Sequence, residues 1–436
     1  MFFKVLTESL KIRQIRKKIL FTIFILLVFR LGTQISVPGI DVAAVKNLQD
    51  LPFVSMLSLV SGNALSNFSI FALGVSPYIT ASIVVQLLQM DLVPKFVEWG
   101  KQGEVGRRKL SQATRYISLF LAFLQAIGIT IGFDTLSEFN LTTEPLTPNL
   151  AIEIGLILTT GSMIVSWLGE QITEKGYGNG TSMIIFAGII SSLPTTFTAL
   201  YNDFFVNVSK DQRVMSASAG VAVVIVVLAI VYITTYIQQA EYKIPIQYTR
   251  RAQGAPANSY LPLKLNPAGV IPVIFAGSVV AIPSTITQIL SSQHATVSWL
   301  VTIQKYFNYS TPQGALVYAF LIVLFTFFYS FVQINPEKTA ENLQKSGAYI
   351  HSVRPGEQTE KYIGYLLRRL ATVGSLFLAV VALLPVLANM AFATTGKMVF
   401  LGTSLIIVIM TSLEGIKQLE GYLMKRQYTG FMNTDA

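Results

Sequence analysis

Ser61-Gly-Asn-Ala-Leu-Ser-Asn-Phe-Ser-Ile-Phe-Ala-Leu-Gly-Val-Ser-Pro-Tyr-Ile-Thr-Ala-Ser-Ile-Val-Val-Gln-Leu-Leu-Gln-Met90 is the stretch that decides the fold. Its first part is too polar and too interrupted to cross a bilayer. Its second part, Ile70 to Met90, is long and apolar enough to do so. Unpaired backbone N–H and C=O groups facing lipid cost several kcal/mol each. The broken segment, 53–68, is therefore expected to be buried in protein or to line a cavity. The rest of the chain is then what surrounds that cavity.

The chain of 436 residues is 52% hydrophobic and only 12% charged. Soluble domains carry about 25% charged residues, so this is a polytopic membrane protein. A span needs roughly 20 mainly apolar residues. Ten windows qualify: 19–38, 70–90, 114–133, 150–168, 181–200, 217–237, 267–290, 314–334, 370–386 and 399–415, the ninth expected to break at Leu384-Pro385. Residues 1–18 form a basic amphipathic run with no cleavage-type motif after it, so the first apolar stretch is expected to remain as a span.

With a cytoplasmic N-terminus, 26 of the 32 Lys and Arg residues fall in inner segments, which predicts that both termini are cytoplasmic. Arg30 is left inside the first span, where pairing with Glu153 or snorkelling to the outer surface would satisfy it. Long connections are outside in the first half (39–69, 134–149) and inside in the second (238–266, 335–369). Five helices followed by five with the sides exchanged, around a 201–216 connection, is the pattern of an inverted repeat. The units are then 19–200 and 217–415, with a tail over 416–436. The loop 238–266 alternates Tyr, Ile and Gln around Arg250-Arg251, as an extended hairpin would. Loop 335–369 carries turn chemistry at Asn335-Pro336 and Arg354-Pro355-Gly356. Both read as docking surfaces for a cytoplasmic partner.

Several chemistries are excluded. The chain has no cysteine, and its two histidines, His294 and His351, are far apart in loops. Thiol catalysis and histidine-based metal sites are not expected. No Walker A motif is present, so ATP would have to be used by a partner. The spans hold no paired acids and no nucleophile with a base. Ion coupling would need intramembrane titratable groups, and the spans offer little beyond Arg30 and Glu153. On the residues alone, a channel and a secondary transporter with inverted repeats rank nearly equal.

Six separated regions resemble one family in order: SGNALSNFSIFALG with PYITASIVVQLLQ, GKQGEVGRRKLSQATRY, GYGNGTSMIIFAGI, YTRRAQG with LPLKLNPAGVIPVIFA, SGAYIHSVRPGEQT and LGTSLIIVIM. The chain is similar to the SecY family of protein-conducting channels over nearly its whole length. The resemblance implies an all-α membrane protein of ten transmembrane helices. They form two inverted pseudo-symmetric halves around a central hourglass pore, with a short re-entrant plug helix. It implies passage of unfolded secretory polypeptides across the bacterial cytoplasmic membrane and lateral release of membrane segments. Signal-sequence precursors would be the substrates. No cofactor is implied, and the implied partners are SecE, SecG, the ATPase SecA, the ribosome and the lipid bilayer. Both docking loops are complete, which favours the general translocon over an accessory paralogue.

Carried onto this sequence, the pore ring is Ile79, Ile83, Ile185, Ile274 and Ile407. Thr181 stands where the family often has a further isoleucine, and back-bonding to an earlier carbonyl would satisfy its hydroxyl. A ring of branched aliphatic side chains excludes water by dewetting and yields to a passing chain. The plug is 53–68, with Phe53, Ser55, Leu57, Ser58, Ser61, Gly62, Asn63, Leu65 and Ser66. The lateral gate is helices two and three against seven and eight, with Gly74, Pro77, Thr80 and Gln86 facing Asn266, Pro267, Gly269, Val270 and Pro272. Gly74 and Pro77 are expected to loosen helix two, Pro267 and Gly269 to loosen helix seven, and Pro272 to kink it. Arg250, Arg251, Arg354 and Glu357 are the docking residues.

Overall fold

The computed structural model describes residues 2–41, 45, 61, 64–89, 93–136, 142, 146–206, 213–248, 259–293, 298–307, 311–392 and 397–432. Each of the ten apolar windows carries a helix. In chain order the helices are α1 (Phe2–Lys11), α2 (Arg13–Gly32), α3 (Ser76–Leu87), α4 (Pro94–Lys101), α5 (Gly103–Leu136), α6 (Pro148–Lys175), α7 (Gly180–Tyr201) and α8 (Arg213–Gln239). Strands β1 (Glu241–Tyr248) and β2 (Ser259–Lys264) follow, then α9 (Ile271–Gln293), α10 (Ser298–Phe307), α11 (Pro312–Gln333) and α12 (Pro336–Lys345). Strand β3 (Ala348–Ile350), α13 (Glu357–Phe392) and α14 (Lys397–Met432) complete the chain. Six helical segments among the described residues are long and apolar enough to cross a membrane.

The deciding stretch splits, but later than expected: the helix expected over 70–90 is only the 12 residues Ser76–Leu87. Residues 70–75 are turns, and α3 begins only at Ser76. The non-helical backbone is nevertheless paired. Val37 N–H donates to Phe68 O at 3.0 Å, and Ile70 N–H to Ile35 O at 3.0 Å, as in a short antiparallel bridge. Ser162 Oγ of α6 donates to Gly74 O at 3.0 Å. Leu65 and Phe68 are fully buried, and Phe68 packs edge-on to Phe133. The segment is held inside protein, which is the condition irregular backbone must meet at membrane depth. Of the plug residues, Ser61, Leu65 and Ser66 are buried, and Ser61 Oγ accepts from Leu65 N–H. Phe53, Ser55, Leu57, Ser58, Gly62 and Asn63 lie outside the described residues.

Four expectations change. Arg30 is not mid-span. Helix α2 starts in the basic run and ends at Gly32, so Arg30 sits in its last turn and donates to Thr33 Oγ1 at 3.3 Å. A cation there complements the helix dipole. The Arg30–Glu153 ion pair is not formed, and Glu153 is exposed. Pro77 does not loosen α3 and Pro272 does not kink α9. Each is the second residue of its helix, where no intrahelical N–H bond exists to be lost. The break expected at Pro385 is absent, because α13 runs through it to Phe392. Thr181 is the second residue of α7, so no preceding helical turn is there to accept its hydroxyl.

The extended-hairpin expectation holds. Strands β1 and β2 pair antiparallel from Glu241↔Lys264 to Ile246↔Ser259. Strand β3, from the other long loop, joins the free edge of β1. A small apolar cluster of Ile244, Ile246, Leu263, Leu343, Ile350 and Ile363 lies beneath this sheet. The main core is one large cluster reaching from Phe29 and Ile79 through Ile185 and Val273 to Ile322 and Met410.

The close approach of α6 to the bridge segment is a testable element. A Cβ on Gly161 would lie 1.9 Å from Ile70 O, which is main chain and cannot swing aside. Gly161→Ala is expected to destabilise by about 1–3 kcal/mol through overpacking. Thermal unfolding of the purified protein in detergent, compared with Gly421→Ala where nothing lies within 4 Å, measures it.

Candidate functional site

Helix α3 presents two rows. Ile79 and Ile83 are four apart, as are Tyr78, Ser82 and Gln86, so each row shares one face. Ile79 and Ile83 are buried in the main core. Helix α7 contributes from its first turns, and their position is set by the 176–180 turn. Asn179 caps α7: its Oδ1 accepts from Thr181 N–H at 3.1 Å and from Ser182 N–H at 3.5 Å. Gly180 lies against α6 so closely that a Cβ would fall 1.8 Å from Gly169 O. Tyr177 N–H donates to Thr22 Oγ1 at 3.2 Å, and Gly178 N–H donates to Gln418 Oε1. One tight turn thus fixes α7 against α2, α6 and α14.

Helix α9 starts from a matching device. Gly269 has φ +65° just before α9, as Gly74 has φ +55° just before α3. Both are left-handed positions that suit glycine. Asn266 is buried and donates through Nδ2 to Gly269 O at 3.1 Å and to Gln238 Oε1 at 3.4 Å. Pro267, Val270 and Pro272 are buried around it. Helix α9 packs on α3, α5 and α11. Phe275 makes edge-on contacts with Phe325 and Tyr329 of α11, with ring centroids 6.0 and 5.6 Å apart.

These elements enclose a cleft of about 80 Å³. Ile79, Thr181, Ile185 and Ile274 all line it, although they come from three helices far apart in sequence. Ile83 and Ile407 belong to or pack against the same apolar cluster without lining the cleft. Polar members not anticipated from the sequence are Tyr78, Ser82, Asn179, Ser182 and Tyr329. The 78/82/86 spacing was the signal for the first two. Gln86 also lines the cleft, and its Nε2 donates to Ser82 Oγ at 3.2 Å. Thr80 instead turns its hydroxyl back to Ser76 O at 3.1 Å.

The docking residues separate. Arg250 and Arg251 lie outside the described residues. Arg354 is exposed on the turn after β3, and its carbonyl accepts from Thr359 Oγ1 at 2.9 Å. Glu357 is engaged with Lys361 at 2.7 Å. That hydrogen bond, with the lysine charge, holds its carboxyl below the usual carboxylate range. The β1–β3 pairing brings the two long loops into one platform, and Lys417 of α14 ties its base through Glu241 at 2.7 Å.

A family model described as SecY matches residues 69–416. The chain belongs to the SecY family. It is 65% identical over 435 residues to the protein translocase subunit SecY of Streptococcus sanguinis, covering all of both chains. It is 57% identical to that of Lactococcus lactis subsp. cremoris and 46% to that of Bacillus subtilis, covering 99% of each chain in both cases. Among solved structures it is similar to one described as "The structure of a protein conducting channel". The TM-score is 0.64 at 19% identity, covering 93% of this chain and 91% of that one. It is also similar to Sec61 in the canine ribosome-channel complex from the endoplasmic reticulum, with TM-score 0.62, 16% identity and the same coverage. SecY proteins are translocation channel subunits rather than enzymes, and this member is a multi-pass membrane protein with the channel fold.

The Asn179 cap is the local determinant of this site. Asn179→Ala is expected to cost about 1 kcal/mol, and Asn179→Asp to retain most of it. Thermal unfolding midpoints of the two variants, measured side by side, check the order.

Proposed function

We propose that this chain forms the pore through which unfolded secretory polypeptides cross the bacterial cytoplasmic membrane and from which membrane segments leave laterally. The observation that carries the reading is the convergence of Ile79, Ile185 and Ile274 with Thr181 on one cleft between helices of both sequence halves. An apolar constriction resists water and ions yet offers a passing chain no fixed hydrogen bonds. Ile83 and Ile407, one helical turn or one helix away in the same cluster, complete the ring when the cleft widens.

The ten apolar segments act as ten spans in two inverted halves, 19–200 and 217–415, with both termini cytoplasmic. The paired positive-φ glycines before α3 and α9 support that symmetry. The gate runs between α3 and α5 on one side and α9 and α11 on the other, and the contacts of α9 with α3 and α5 support it. Its hinges are the Gly74 and Gly269 turns rather than the prolines. Segment 53–68 is the plug, tethered by its buried end at Leu65 and Phe68. The joined loops, with Arg250, Arg251, Arg354 and Glu357, receive SecA or the ribosome, and SecE and SecG complete the complex. ATP hydrolysis belongs to SecA.

Cross-linking during translocation tests this. A single cysteine is placed at Ile83 or Ile274, in a chain that has none of its own. A secretory precursor carrying one cysteine is stalled in reconstituted vesicles with SecA and ATP. The expected result is a disulfide that requires ATP and the precursor's signal sequence. Equal adduct at Leu228, an exposed position on α8, or none at the ring positions, overturns the path.

A further inference from the structure

One turn of α14, residues 414–418, meets three segments that lie far apart in sequence. Lys417 Nζ pairs with Glu241 Oε1 at 2.7 Å, at the base of the β1–β2 hairpin. Gln418 Oε1 accepts from Gly178 N–H in the turn ahead of α7. The Glu414 carboxylate reaches the turn ahead of α9, where a Cβ on Gly269 would come within 2.9 Å of its Oε1. Positions 414, 417 and 418 are three and four apart, so they share one face of the helix. Between them Gly415 lies against the α7 side, where a Cβ would fall 3.3 Å from Tyr177 and 3.4 Å from Met183.

The ion pair is the firmest of these contacts. Among the described residues it is the only one with both side chains more than half covered, at 32% and 29% exposed. Salt and water therefore screen it less than the others. Glu241 heads the hairpin, whose base is closed by Leu265 N–H donating to Ala240 O at 3.0 Å. Lys264, the cross-strand partner of Glu241, adds a charge that acts on Glu414. The hairpin base is thus drawn to α14 by two attractions of opposite charge. Two residues beyond Lys264, Asn266 donates to Gly269 O at 3.1 Å, so the hairpin and the turn ahead of α9 form one connected unit.

Ile185 and Ile274 lie within the first two turns of α7 and α9. A shift of either helix start is therefore a shift of its isoleucine. We propose that Glu414, Lys417 and Gln418 are positioning residues that hold the starts of α7 and α9 at a spacing set by the loop platform. A displacement of the hairpin is carried by α14, a continuous helix from Lys397 to Met432, to both helix starts at once. Gln418 acts on α7 through the Gly178 amide, Glu414 acts on α9 through the Gly269 turn, and Lys417 ties both to the platform. The consequence for translocation rests on the channel reading; the positioning does not.

The test uses the full chain with its partner subunits in lipid nanodiscs. A single cysteine replaces Thr181 of α7 in one protein and Ile271 of α9 in another, and each carries a bimane fluorophore. Both positions line the isoleucine cleft, and the chain has no cysteine of its own. With no other protein present, Lys417→Met is expected to shift the emission maximum of both probes by several nanometres. Lys417→Arg, which keeps the cation, should leave both in place. Gln418→Ala should shift the α7 probe and not the α9 probe, and Glu414→Ala the reverse. A general loss of stability would instead move both probes in every variant. Glu420→Gln, farther along the same helix, should move neither. Unshifted probes in Lys417→Met, or the same two-probe shift in Gln418→Ala and Glu414→Ala, overturns the proposal. SecA is then added and the proteins are compared at equal occupancy. The unmodified platform should shift both probes, and Lys417→Met should show no further shift. An equal further shift in Lys417→Met rejects α14 as the route. If SecA moves neither probe while the shifts without it hold, the positioning stands and the platform reading fails.

Discussion

The structure depends on how one stretch of non-helical backbone is satisfied inside a low-dielectric slab. Residues 64–75 cannot form a helix through Gly74 at φ +55°, and lipid offers their amides nothing. The protein answers with two inter-segment hydrogen bonds to residues 35 and 37 and one from Ser162. Those bonds require α2, α6 and the bridge segment to meet closely. Gly161 is glycine because Ile70 O occupies the space a side chain would need. Once that contact is made, α3 starts at a defined depth, and Ile79 and Ile83 follow.

The second half repeats the logic with different chemistry. Before α9 the turn is held by a buried side chain, Asn266, rather than by strand-like pairing. Both solutions end in a glycine with positive φ and a helix whose second residue is proline. A proline at that position starts a helix at no hydrogen-bond cost. The left-handed glycines lie in the turns ahead of the helices, at Gly74 and Gly269, while α9 carries a further proline in its interior, Pro283.

The loop platform is coupled to the main core through α14. This helix reaches from the main core, at Ile406 and Met410, to Gln418 at the 176–180 turn. Beside it, Lys417 pairs with the base of the β1–β2 hairpin, and one turn on Tyr422 meets Lys18 of α2 at 3.3 Å. A load on the loop platform is thus connected by one rigid element to the turn that positions Thr181, Ser182 and Ile185.

That each apolar window holds a helix, the hairpin and the existence of the broken segment were legible in the sequence, because each follows from local rules; the further helices α1, α4, α10 and α12 were not. Apolar run length marks spans, alternation around Arg250-Arg251 marks strands, and Ser, Asn and Gly in 61–66 mark a break. The i, i+4 pairing of Ile79 with Ile83 was legible for the same reason. Proline was misread where position mattered more than identity: Pro77 and Pro272 open helices, and α13 continues through Pro385 to Phe392. Tertiary structure alone decided which isoleucines meet. Ile79, Ile185 and Ile274 are separated by about a hundred residues each, and no periodicity relates them. It also decided that β3 joins β1. Such facts depend on which distant segment packs alongside, and a contact between distant segments leaves no mark in the local pattern.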